Sequence, residues 1–323
     1  MIVHPDIAKL RGDPASQHRV KSAMATAAET WRLNDKADEI AACLKEFADG
    51  APLDRCAGLS QLMTHRASAA EFVGAFATNM LGELRRNPLG EIPFRHGSSE
   101  GYSRLQLLEK GGASLSLVAY EPIAVVSEPE TAQFADVELY EIALSGSARV
   151  LRHALFEKAS GGPAIQTEEQ VIGAGDRISC RSSIEARQVA EVSRSLCLLQ
   201  LSRVPVRSGP SRVYRLCDAT ILHQAAGDKR TSEQVMALAV LGALGQSDNI
   251  PVMEDFALRC ENDRDARWEA VRQTLALDAP CGFDLLRRIG ADKEDDLSGP
   301  AEALRTSLLK AHPELSNMMM EAV

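Results

Sequence analysis

The sequence predicts an α+β protein of three regions: a helical stretch over 1–90, an antiparallel β domain over 91–210 and a second helical domain over 211–323. Three observations carry that prediction. Apolar residues in the first region recur three and four apart, the spacing of one helix face. In the middle region apolar runs shorten and turn residues return every few positions, which fits a β sandwich or barrel and not a parallel α/β sheet. In the last region a heptapeptide recurs, EAVRQTL at Glu269–Leu275 and EALRTSL at Glu302–Leu308.

The first region is rich in Ala. Trp31, Ile40, Cys43, Leu44 and Phe47 predict one amphipathic helix closed near Gly50, and a shorter helix follows from Leu53 to His65. Ser68-Ala69-Ala70-Glu71 has capping-box spacing, in which Ser68 accepts from the amide of Glu71 and Glu71 reaches back. The helix it opens sets Phe72, Val73, Phe76, Met80, Leu81 and Leu84 on one face, expected to pack against its own neighbours. Asn87-Pro88 ends it, because the residue before a proline is biased away from helical backbone.

In the middle region Leu115, Leu117 and Ala119 alternate with Ser114, Ser116 and Val118, a period-two signal. Val137–Leu144, then Ser145-Gly146-Ser147, then Ala148–Phe156 predict strand, turn, strand. Gly161-Gly162-Pro163 breaks the chain again, and Val171–Ile172, Arg177–Cys180, Arg187–Val192 and Leu196–Leu201 complete a series of short strands.

Within that series lies the turn Gly173-Ala174-Gly175-Asp176. It resembles the second sequence motif of the cupin family, which implies a jelly-roll fold and a metal-binding His further along, where this chain has Glu185 and Ala186. Counting back from Gly146, the His-x-His of the first cupin motif falls on Gln133-Phe134-Ala135 and its Glu near Glu138 or Leu139. The resemblance covers the glycines that shape the fold and departs from the family at every imidazole, so no metal ligand carries over. Asp176 is expected to accept backbone amides and fix its turn.

Glu138 and Glu141 stand three apart on one strand and so face opposite sides. Glu138 shares its face with Tyr140, Ile142 and Leu144 and is the expected inward carboxylate. A buried charge needs a partner, here Arg149, Arg152 or Arg187. His153 lies on a face with Leu151 and Leu155, as a hydrogen-bonded core or rim histidine. A ligand pocket is accordingly expected around Glu138, Tyr140, Arg152, His153 and Glu185. The cupin resemblance implies an alternative, a metal-dependent dioxygenase or isomerase: His96, Glu138 and His153 would hold Fe(II), and Tyr102 or Arg152 would orient a small substrate. A purely structural protein would instead fill the β interior with Leu, Val and Phe. The sequence has no G-x-S-x-G elbow, Walker loop or H-E-x-x-H.

In the last region the two heptapeptides lie 33 residues apart, each after an acidic stretch, Asn262–Asp265 and Asp292–Asp296, and Glu233–Leu244 is a weaker copy. An acidic turn followed by R-x-E-A-x-x-x-L resembles HEAT repeats. The resemblance implies that the turn Asp caps the second helix, that Arg267 ties one turn to the next and that Ala270 allows close helix contact. The second copy keeps Ala303 and departs from the pattern at Ser298 and Gly299-Pro300. Solenoids offer extended surfaces to protein partners, so Arg267 and Trp268 are the candidate contacts there. Met318-Met319-Met320 is expected to be a frayed helix end or an oligomer contact.

Composition narrows the partners. The net charge is −9 with no dense basic block, and aromatic residues are 4% of the chain, which disfavours nucleic acid and anionic membranes. No apolar run approaches a membrane span, and the first residues lack the pattern of a secretory signal. Seven scattered cysteines without a C-x-x-C pair point to thiols in a reducing cytoplasm. The preferred expectation is a non-enzymatic binding, regulatory or adaptor module without a resident cofactor. It takes a small molecule in the β domain and a protein partner on the helical repeats.

Overall fold

The computed structural model of the protein describes residues 7, 12–122, 128–159, 161–205 and 208–312; Met318-Met319-Met320 lies outside them. The chain divides into two compact units, Met1–Ser208 with Arg212–His223, and Gly209–Ser211 with Gln224–Val323. The boundary expected near residue 90 is therefore a change of secondary structure inside one unit, because the helices bury their apolar faces on the sheet that follows.

Among the described residues the first unit opens with four α-helices: α1 (Pro14–Arg32), α2 (Asp35–Ala48), α3 (Ala57–Thr64) and α4 (Arg66–Arg86). Trp31 belongs to the end of α1 and not to the helix carrying Ile40 and Phe47. The break falls at Asn34, whose side chain accepts from the Ala37 amide at 2.9 Å and starts α2. The expected capping box is also corrected. Helix α3 ends at Thr64 and α4 restarts at Arg66, so His65 is the N-cap and Ser68 and Glu71 sit inside the helix. Of the apolar stripe on α4, Phe72, Phe76 and Met80 are buried, whereas Leu81 is 52% exposed.

Among the described residues the β region has ten strands: β1 (His96–Ser99), β2 (Tyr102–Lys110), β3 (Ala113–Tyr120), β4 (Thr131–Phe134), β5 (Glu138–Glu157), β6 (Pro163–Gly173), β7 (Arg177–Arg181), β8 (Glu185–Arg203), β9 (Ser211–Arg215) and β10 (Ile221–Ala225). The main sheet runs β1-β2-β3-β8-β5-β6, with β7 also on β5, and the second runs β10-β9-β4. Residues expected to form four shorter strands are here two long ones. Ser145-Gly146-Ser147 is an irregularity inside β5, where its register with β8 shifts. Gly146 has φ +84°, and a Cβ there would meet the Ser195 carbonyl oxygen at 2.1 Å, so the two backbones approach as only glycine allows. Asp176 holds its turn as expected, accepting from the Gly173 amide at 2.7 Å.

One core joins the helices to one face of the main sheet. Trp31, Phe72, Phe76 and Phe94 cluster from the helical side, with Trp31 and Phe76 centroids 5.0 Å apart and Phe76 and Phe94 5.1 Å apart. Leu115, Ile142, Leu144, Leu199 and Leu201 meet them from the strands. Arg203 at the end of β8 fastens the layers, donating from Nη1 to the carbonyls of Phe47 and Ala51 at 2.7 and 2.8 Å.

The second unit contains helices α5 (Lys229–Ala243), α6 (Ile250–Leu258), α7 (Arg264–Leu277), α8 (Ala279–Ala291) and α9 (Ser298–Ala311). Asp263 caps α7, accepting from the Asp265 and Ala266 amides. Arg267 is 1% exposed. Its Nε donates to the Ala257 carbonyl at 2.7 Å and its two terminal nitrogens to Asp295 and Asp296 at 2.5 and 3.0 Å, so it ties two turns together. In the second copy Ala301, not Ala303, takes the buried position, because α9 starts at Ser298 and turns Ala303 to solvent.

Candidate functional site

Alternation along the strands sorts side chains into two sets. Tyr140, Ile142 and Leu144 of β5 face the helices, as do Leu115 and Leu117 of β3. The opposite set carries Leu139 and Glu141 of β5, Ser114 and Ser116 of β3, and Gln200 and Ser202 of β8. On that side lies a cavity of about 860 Å³. Arg104, Gln106, Ser114, Arg187, Gln200 and Ser202 are among the residues lining it.

Register brings polar groups into line. Gln106 pairs with Ser116, Ser116 with Gln200, and Gln200 with Glu141, so one polar row crosses four neighbouring strands. A second pair, Ser114 and Ser202, stands beside it with hydroxyl oxygens 2.9 Å apart. Arg104 donates to Ser116 and Ser114 at 3.1 and 3.3 Å.

Glu141 is the buried carboxylate, 1% exposed. This corrects the expectation for Glu138. The face of Glu138 packs on the N-terminal helices, and Glu138 itself sits at their edge, accepting from Arg203 Nε at 2.8 Å and from the Tyr140 hydroxyl at 2.8 Å. Glu141 Oε1 accepts from Arg187 Nη2 at 2.7 Å and from Gln200 Nε2 at 2.8 Å. Glu141 Oε2 and Arg187 Nε and Nη1 are buried without a hydrogen-bond partner among the described residues. Burial alone would lower the Arg187 pKa, but Glu141 and Tyr120 outweigh it and raise it above its ordinary value. The Tyr120 ring lies 6.0 Å from the guanidinium carbon, and burial pushes the Tyr120 hydroxyl above its usual pKa.

The other residues singled out from the sequence are dispersed. Tyr140 faces the helices, stacks edge-on to Phe47 at 6.3 Å, and is pushed up to about 12 by burial and by Glu138. His153 is 1% exposed and satisfied on both nitrogens, by Thr167 Oγ1 and Gln188 Oε1, each at 2.9 Å. Burial holds its pKa below the ordinary 6.5. Arg152 and Glu185 face each other across two strands at 3.6 Å. His96 is exposed on the β1 edge, its Nδ1 3.1 Å from the Phe94 carbonyl. His96, Glu138 and His153 thus have separate partners and do not form the three-residue set of the enzyme alternative. Arg267 is buried, whereas Trp268 is partly buried and packs against the core of the helical unit.

A resident metal is what the cupin resemblance implies for such a chamber. Of the positions that the resemblance matches to the family's histidines, Glu185 pairs with Arg152 and is not part of the cavity wall, whereas Gln133, Ala135 and Ala186 line it, as does Leu139. None of these four lining residues is an imidazole or a carboxylate, and the guanidinium groups of Arg104 and Arg187 repel a cation. Among the described residues no group of three or more His, Cys, Asp or Glu could hold a metal ion. The residues present do not fit one.

Gln106, Gln200, Ser202 and Arg104 were not singled out by sequence reasoning. Their signal was present in the polar half of the alternation, Ser114 and Ser116 against Gln200 and Ser202, which only the pairing of β3 with β8 turns into one wall.

No protein-family model matches the sequence, and no curated protein matches it. Similar solved structures include a sugar phosphate isomerase from a cupin superfamily of Silicibacter pomeroyi, at 15% identity and TM-score 0.27 over 42% of this chain and 83% of that one. Oxalate decarboxylase from Bacillus subtilis is 12% identical with TM-score 0.26, and the 7S globulin of Momordica charantia is 12% identical with TM-score 0.27. The matches cover 34% and 38% of this chain, and it spans only 27% and 35% of those two proteins. At these identities and scores the resemblances assign neither substrate nor cofactor. Among the described residues no helix is long and apolar enough to cross a membrane.

Proposed function

We propose that the β domain is a chamber for a small polar molecule and that the chain is a non-enzymatic binding or regulatory module. The polar row Gln106, Ser116, Gln200 and Glu141 carries this reading. The inner face of a β sandwich ordinarily supplies an apolar core, and each buried polar group left unpaired costs about 1–3 kcal/mol. The unpaired Arg187 nitrogens stand on a residue lining the cavity. A bound molecule that accepts from them offsets that cost. A purely structural role needs an interior of Leu, Val and Phe; Val118, Val150, Leu196 and Leu198 supply one along part of this face, but the polar row beside them does not.

Metal analysis of the purified protein, with the fold checked by circular dichroism, separates this reading from a cupin-type enzyme. A metal-free folded protein is expected. Stoichiometric iron that is lost in His153→Ala would overturn it.

The helical unit supplies the adaptor half of the proposal. Its second heptapeptide turn provides Asp295 and Asp296 to Arg267, as a HEAT-like stack would. Met236, Val240 and Leu244, spaced four apart, are each more than half exposed, an apolar stripe of the kind that marks a protein contact. Replacing Met236 and Val240 with Ser is expected to weaken partner capture without unfolding the unit. Unchanged capture would remove this surface from the proposal. A cytoplasmic setting is part of the same reading.

A further inference from the structure

We infer that the molecule taken by the chamber is a small hydroxylated carboxylate carrying one negative charge, held by Arg104. This deepens the chamber reading above and rests on it.

The charges around the cavity give the sign. Arg95 and Glu109 pair at 3.8 Å with side chains 77% and 53% exposed, which places that pair at the rim. Arg187 is neutralised by Glu141 directly behind it. Arg104 remains. Its bonds go to the hydroxyls of Ser116 and Ser114, and no ion pair to it is formed among the described residues. Serine oxygens carry no net charge, so the wall holds one uncompensated positive charge. A guanidinium favours a carboxylate through charge-assisted hydrogen bonds.

The same arrangement limits the charge to one. Glu141 is on the cavity side of β5, two residues along from the lining Leu139 and in contact with the lining Arg187, and a second negative charge on the guest would meet its field in a region that screens poorly. A phosphate ester, with nearly two negative charges, suits the site less well. Gln106, Gln200 and Ser202 both donate and accept, which suits hydroxyl groups on the remainder of the molecule. The unpaired Nε and Nη1 of Arg187 add two donors without adding net charge.

The test is a titration of the full-length protein, read by backbone amide NMR shifts, with two carboxylates, gluconate and lactate, and two neutral counterparts, sorbitol and lactamide. At least one carboxylate is expected to shift amides around Arg104, Ser114 and Gln200 saturably, at least roughly tenfold more tightly than its neutral counterpart. Arg104→Gln should lose roughly tenfold or more of that affinity. Glu141→Gln, which removes the buried negative charge, should change it in the opposite direction. Equal binding of acid and neutral counterpart within the cavity, or full affinity in Arg104→Gln, overturns the carboxylate and leaves the chamber standing. Shifts confined to residues outside the cavity, or no binding by any of the four, overturn both.

Discussion

Arg187 and Glu141 meet at 2.7 Å on neighbouring strands, the arginine side chain 6% exposed and the glutamate fully enclosed, and neither is completely satisfied. Both side chains are taken almost wholly out of solvent, so the pair is costly to desolvate and costlier to break.

Removing one partner leaves the other as a buried lone charge. Arg187→Met is expected to destabilise the first unit by about 3–5 kcal/mol, and the double change with Glu141→Leu by less than the sum of the two single ones. Urea unfolding of the four proteins measures this. Additive costs would show that the two side chains do not depend on each other.

His153 gives the β domain a pH dependence. Its folded pKa is held below 6.5 by burial. The unfolded chain therefore takes up the proton first, and stability present above pH 6.5 is lost as the pH falls from there toward the folded pKa. His153→Gln should flatten the stability profile over that window, as followed by thermal unfolding at stepped pH. An identical slope in wild type and variant would contradict the assignment.

Gly146→Ala tests the joint inside β5. The new methyl would meet the Ser195 carbonyl oxygen at 2.1 Å with the backbone at φ +84°. A loss of at least about 2 kcal/mol is expected, because backbone must move. A loss below about 0.5 kcal/mol, the size of an ordinary surface change, would mean that the strands can separate there freely.

In the helical unit Arg267 acts as an internal tie. Arg267→Ala should cost about 3–5 kcal/mol by leaving Asp295 buried and unpaired, and Arg267→Lys should recover part of it, since lysine lacks the planar fork. Burial pushes Asp295 up, but Arg267 and the Leu297 amide outweigh it and hold its pKa below 3.8. Stability from this pair is therefore present above pH 3.8 and is lost as the pH falls through the folded value. Trp268 fluorescence reports the transition.

Much of this was legible from residues alone. The alternation at Leu115 and Ser116, the G-x-G-D turn and the capped helix after Asp263 all appear in the fold as local chemistry dictates. What the pattern does not contain is which side of a strand another layer covers. Glu138 shares its face with Tyr140, Ile142 and Leu144, and those apolar neighbours made it look inward. They do face a core, but the core belongs to the N-terminal helices. The cavity lies on the other side with Glu141, and only the register of β3, β8 and β5 reveals it. The merging of strands into β5 and β8 was hidden for a similar reason, since Gly146 looks like a turn until the neighbouring backbone at Ser195 is seen.

The claim on which the account depends is that the β interior is a polar chamber and not a metal site. An atomic-resolution electron-density map of that interior tests it most directly. The account predicts an ordered polar molecule or water within hydrogen-bond distance of Arg187 Nε and Nη1, with His153 still bonded to Thr167 and Gln188. A cation coordinated by side chains of the chamber, or an interior closed over with those nitrogens paired to the protein itself, would contradict it.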